Sequence, residues 1–153
     1  MITLRHLIDI STLMKWRIEV IENVFGCKPD KQLIETNRSY YERNIDNGCH
    51  YAYIVETEGN EAGCGAICIS EELPSPDNPT GRCAYLMNIY VRKEYRNHGL
   101  AHHIVSKLIE QARILDCGKI YLETTDLGRP VYASMGFRDM PDMMKLSVKK
   151  IHF

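Results

Sequence analysis

The sequence predicts an α/β fold, an α+β arrangement in which a central mixed β-sheet is flanked by helices, and three observations carry that prediction. Residues 83–91, CAYLMNIYV, are nearly continuous apolar sequence, as a strand covered on both faces requires. From 99 to 117, Leu100, Ile104, Leu108 and Leu115 form one helical stripe beside Val105 and Ala112, and Gly118 supplies the stop. KIYLETT at 119–125 reads as strand again, so strand, helix and strand form a right-handed βαβ unit with parallel strands.

The other elements follow in order. Residues 2–7 alternate apolar and polar and predict a first strand. Asp9 or Ser11 can cap a helix in which Ile10, Leu13, Met14, Ile21, Val24 and Phe25 recur until Gly26. A second helix is expected from Asp30 to Asn47, carrying Leu33, Tyr40, Tyr41 and Ile45 and ending at Gly48. His50–Glu58 and Ala62–Ser70 read as strands joined by a hairpin at EGNE. Three closely spaced prolines make SEELPSPDNPTGR an irregular loop. After residue 125 a short helix at 130–135 is expected, then a last strand pair around 136–138 and 143–149.

With 153 residues, 44% of them hydrophobic, and no linker or repeat, residues 1–153 are expected to form one domain. Nineteen Lys plus Arg against twenty Asp plus Glu leave a net charge of −1, so no global field exists to hold nucleic acid or an anionic bilayer, and no nucleic-acid recognition motif is present. No apolar run approaches the ~20 residues of a membrane span. Charges break the N-terminal twenty residues before any secretory core, which makes the cytoplasm the expected compartment. No CxxC occurs among the six cysteines, and on a strand Cys64 and Cys68 would stand ~13 Å apart, too far to share an ion. Reduced, packed thiols are expected. His98, His102 and His103 lack a third ligand at useful spacing, so no metal is expected.

Chemistry concentrates in the turn between the strand at 83–91 and the helix that follows. Arg96, Asn97, His98, Gly99, Leu100 and Ala101 open a helix whose first N–H groups have no intrahelical partner and carry the positive end of the macrodipole. Gly99 permits close backbone approach, Ala101 keeps the first turn uncluttered, and Arg92, Lys93 and Arg96 outweigh Glu94. A pyrophosphate suits this chemistry. One glycine is neither a phosphate-binding P-loop nor a dinucleotide fingerprint.

Arg-x-x-Gly-x-Ala, five residues beyond Val91, resembles the acyl-CoA motif of the GNAT superfamily of N-acetyltransferases, and GRPVYASMGF at 128–137 resembles that family's short helix and Gly-Phe. The resemblance implies a GNAT-like acyl-CoA N-acyltransferase fold in which the strands at 83–91 and 119–125 splay apart to admit the pantetheine arm of acetyl-CoA. Ile89, Tyr90 and Val91 would hydrogen-bond that arm as a missing strand would. A primary amine, on a small molecule or a peptide, would attack the thioester directly in a ternary complex. A backbone N–H near Ile89 would stabilise the oxyanion, and Tyr132, where the family's general acid usually sits, would protonate the leaving thiolate.

The chain also departs from the family pattern. Thr125 stands where many members carry an Asn that holds pantetheine, and it is left out of the expected site. Glu123 is the best candidate for the carboxylate that deprotonates the acceptor, although a mid-strand Glu is commonly a solvated side chain. Asn88 occupies a central-strand position where an acid is sometimes found, and it cannot act as a base. Tyr40, Tyr41, Tyr51, Tyr53 and Trp16 either line an acceptor pocket or belong to the core. The first two helices and loop 71–82 are expected to shape that pocket. A non-catalytic module that binds acyl-CoA and regulates a partner is the alternative, and it predicts a degraded acid where Tyr132 is intact. A homodimer is compatible with either reading, although no apolar surface that would build one is identifiable in the sequence.

Overall fold

A computed structural model describes residues 1–148. One five-stranded sheet is ordered β1 (Ile2–Leu7), β2 (His50–Thr57), β3 (Asn60–Glu71), β4 (Arg82–Val91) and β5 (Lys119–Leu122). The first four strands are antiparallel, and β5 joins β4 in parallel after the crossover through α3 (Leu100–Ile114). The mixed sheet flanked by helices is as the sequence predicts.

Each face of the sheet is closed by helices with the matching stripe. On one face Ile104, Val105, Leu108 and Ala112 of α3 bury against Val55, Ile67, Ala84 and Leu86. Gly65 makes this close packing possible, because a Cβ there would run into Ile104. On the other face α1 (Ile10–Val20) and α2 (Lys31–Asp46) bury Leu13, Met14, Trp16, Val20 and Tyr41 against Ala52, Ile54, Ala66 and Tyr90. Asp9, rather than Ser11, caps α1 by accepting from Thr12 N at 2.9 Å, and Asp30 caps α2 through Leu33 N at 2.8 Å. The β2–β3 hairpin turns on Glu58 and Gly59, both in the left-handed region.

Three local features differ from the sequence reading. The first helix does not continue regularly to Gly26. At Ile21–Phe25 it widens into a π turn, which rotates Val24 and Phe25 out of the core stripe and leaves both exposed. In β4, Tyr90 pairs with Cys64 and Met87 with Ala66, so two β4 residues oppose the single Gly65. That bulge places Asn88 at φ +58°, a conformation Asn tolerates better than most residues. It also switches the pleat: Ala84 and Leu86 face the α3 core, and beyond the bulge Ile89 and Val91 do.

The third difference lies at the C-terminal end. β5 stops at Leu122 rather than 125, and α4 spans Arg129–Ser134. The strand pair expected at 136–138 and 143–149 is absent among the described residues, and Lys149 lies outside them. A pair there would have to extend the sheet from β5, whose four half-buried residues offer little apolar surface for pairing. Met143, Met144, Leu146 and Val148 are exposed as a result. Among the described residues no helix is long and apolar enough to cross a membrane.

Candidate active site

The sheet opens where β5 ends. β4 and β5 pair from Cys83 with Lys119 to Leu86 with Leu122, while β4 runs on to Val91. Arg92 N–H donates across to Ala62 O of the β3 side at 2.8 Å, so strand alternation turns the backbone groups of Ile89 and Val91 toward the opening. The Val91 carbonyl already accepts from Arg96 Nε at 2.9 Å.

Two cavities run along this opening, one of about 460 Å³ and one of about 730 Å³. They share Ile89, Tyr90, Val91, Arg96, Gly128 and Tyr132. The smaller adds Asn97, Gly99, Leu100, Ala101 and His102, and the larger adds Glu123. His98 lines neither. Asn97 and Gly99 on either side of it both take left-handed backbone, and the bend leaves its imidazole in solvent. Gly99 caps α3 with no side-chain hydrogen bond, and nothing lies within 4 Å of the place its Cβ would take. The first-turn N–H groups of α3 therefore meet open space beside Arg96.

Arg92 does not add to the positive field of this turn. It lies 4.4 Å over the Trp16 ring and binds both carboxylate oxygens of Glu19 at 2.9 Å, tying the end of β4 to α1. The hydrogen bonds from Arg92 are the main cause holding the Glu19 carboxyl below its ordinary range. Tyr132 stands on α4 with Phe137 edge-on at 5.9 Å, and burial pushes its hydroxyl above the usual tyrosine value. Glu123 is exposed, one residue past the end of β5. Burial first, and then the neighbouring Glu123, raise the hydroxyl of Tyr85.

The wall of the larger cavity contains groups that sequence reasoning missed. Arg17 of α1 donates from Nε to Asn37 Oδ1 at 3.0 Å and from Nη1 to Asn88 Oδ1 at 2.8 Å, joining α1, α2 and the β4 bulge. His50 is buried, with Nδ1 2.8 Å from the Tyr40 hydroxyl, and burial with the nearby Arg17 charge lowers it to about 4. Burial pushes Tyr41 up to about 12. A signal for Arg17 existed: it stands four residues after Leu13 and four before Ile21, a charge on an apolar stripe. Asn88, polar inside an apolar strand run, was a second.

The aromatic set divides. Tyr40 and Tyr41 line the larger cavity, Tyr51 and Tyr53 pack on the opposite face of the sheet, and Trp16 is buried beneath Arg92. Loop 72–81 does not shape the pocket, because it joins the far ends of β3 and β4. There buried Asn78 donates to Arg82 O at 3.2 Å and abuts Gly118, whose missing Cβ leaves it room.

The sequence model of the Acetyltransferase (GNAT) family matches residues 14–137, most of the chain. The chain belongs to the GNAT acetyltransferase family. Among curated GNAT relatives, the thialysine N-epsilon-acetyltransferase of Bos taurus is 32% identical, the match covering 61% of this chain and 57% of that protein. The Sus scrofa protein of the same name is 28% identical over 48% of this chain and 56% of its own length. The match thus spans little more than half of these relatives. A predicted acetyltransferase from Clostridium acetobutylicum, solved with acetyl-CoA, superposes with a TM-score of 0.84 at 25% identity, covering 96% of each chain.

Proposed function

We propose that this GNAT protein moves an acetyl group from acetyl-CoA to a primary amine by direct attack in a ternary complex. The observation that carries this reading is the junction of the two cavities on Ile89–Val91 and Tyr132. A cofactor lying along the smaller cavity brings its thioester to the wall of the larger one, where an amine can reach it. The acetyl-CoA held by the similar clostridial protein, and the N-epsilon amine for which the curated relatives are named, support cofactor and acceptor class.

In this reading the turn from Arg96 to Ala101 takes the pyrophosphate on backbone N–H groups of α3. Ile89 and Val91 offer their backbone groups to the pantetheine amides, Tyr90 lying between them. Glu123 accepts the proton of the acceptor ammonium, directly or through water. The free amine forms a bond to the thioester carbon, and the N–H of Ile89 steadies the oxyanion. As the C–S bond breaks, Tyr132 gives its proton to the thiolate, and the second proton shed by the new amide nitrogen passes through water to restore the Tyr132 hydroxyl. Its raised hydroxyl value keeps that proton in place at neutral pH.

Calorimetry with acetyl-CoA and an assay of CoA release over a panel of primary amines test the reading together. One-to-one binding and amine-dependent release are expected. Failure to bind acetyl-CoA, or release indifferent to amine, overturns it.

A further inference from the structure

Arg17 is a half-buried guanidinium that lines the larger cavity and forms no salt bridge among the described residues. Its two hydrogen bonds go to neutral amide oxygens, which uses two of its five N–H donors. Those amides hold it in place: Asn37 Nδ2 is occupied by Leu33 O at 2.8 Å, which fixes the Asn37 oxygen toward Arg17. The Phe25 ring, 5.9 Å from the guanidinium carbon, covers it from the π turn. His50, in the same wall, is buried with Nε2 unpartnered. The other ring nitrogen, Nδ1, is engaged by the Tyr40 hydroxyl at 2.8 Å. The other charged groups of the wall are Arg96, bound to the Val91 carbonyl, and Glu123. One wall thus holds a positioned guanidinium with no carboxylate bound to it and a buried imidazole nitrogen with no partner, an arrangement that is costly unless a polar ligand engages them, and the guanidinium selects an oxygen anion.

We propose that the acceptor amine carries an anionic group, a carboxylate or a phosphate, which the Arg17 guanidinium binds in this cavity. The proposal rests on the acetyltransferase reading above and names the class of its acceptor. Arg17 is then a specificity residue: it holds the far end of the acceptor while the amine end meets the thioester beside Tyr132.

Matched pairs test it: lysine against cadaverine for a carboxylate, and glucosamine 6-phosphate against glucosamine for a phosphate, each assayed by CoA release. The anionic member of at least one pair should be preferred in kcat/KM by roughly 10- to 100-fold. The preferred pair tells carboxylate from phosphate. Arg17→Gln should collapse the preference to near unity through KM, with acetyl-CoA affinity unchanged, and Arg17→Lys, which keeps the charge, should retain part of it. Equal or better use of the neutral members, or a preference that survives Arg17→Gln, overturns the proposal while leaving the acetyltransferase reading intact. If none of the four amines is acetylated, each is titrated by calorimetry into the CoA-loaded wild type, which cannot react. Heat from an anionic member alone, lost in Arg17→Gln, supports the proposal, and its absence overturns it. A wild type that does not bind acetyl-CoA breaks the underlying reading instead.

Discussion

The two halves of the cleft are built from different materials. In the proposed function the cofactor half is largely backbone: the free N–H groups of α3, the left-handed Gly99 and the edge of β4 past Leu86. The acceptor half is side chains, with Arg17, Asn37, Tyr40, His50 and Asn88 drawn from α1, α2, β2 and β4. A backbone site binds what most acyl-CoA ligands share and tolerates changes of side chain. A site of side chains, half-buried apart from the buried His50, discriminates, and it titrates.

The largest expected effect concerns that titration. His50 sits at about 4 in the folded protein against an ordinary 6.5, so on acidification the unfolded chain takes the proton first. Its contribution is intact above pH 6.5 and is lost as pH falls toward 4, by up to about 3 kcal/mol. Chemical denaturation across that window should show the loss, and His50→Gln should flatten the slope. An unchanged slope in the variant would remove His50 from the account. At the seam between the halves, Tyr132→Phe should lower turnover by roughly 10²-fold while leaving acetyl-CoA affinity unchanged, as calorimetry and steady-state kinetics can show. Near-full turnover would make the ring a mere positioning group.

The cofactor half is tested by a smaller effect. Gly99→Asp sets a carboxylate against bound phosphate and should weaken acetyl-CoA by roughly 10-fold or more in calorimetry. Unchanged affinity would place the pyrophosphate elsewhere. Smallest of all, His98→Ala should alter that affinity by less than about twofold, because the ring is an exposed side chain outside both cavities. A large loss would mean that the cofactor half also depends on side chains.

The same division explains what the sequence made legible. The strand at 83–91, the turn at 96–101 and the helix after it lie within one stretch, so periodicity and helix-end chemistry pick out directly the elements that line the smaller cavity. Arg17 and His50 are 33 positions apart in the chain and meet only through the packing of α1 and α2 on the sheet, which no local pattern encodes. Loop 72–81 misled for a related reason: its length suggested function, whereas it lies at the opposite end of β4, an exposed loop pinned by the one buried side chain of Asn78. The C-terminal strands failed because alternation in MMKLSV predicts a pairing habit without supplying an edge to pair with.

The β4 bulge bears on how such a chain can change over time. Because Asn88 is the one extra residue of β4 against β3, its deletion would leave Met87 on Ala66 and Tyr90 on Cys64 in a regular ladder, keep Ile89 and Val91 turned toward the opening, and remove the oxygen that Arg17 holds. An exchange of Asn88 for Gly would keep the bulge and lose the side-chain bonds to Arg17 and to Cys64 Sγ. At the bulge, then, the contacts to Arg17 can change by substitution or by loss of the extra residue, while the edge from Ile89 to Val91 keeps its pairing with β3.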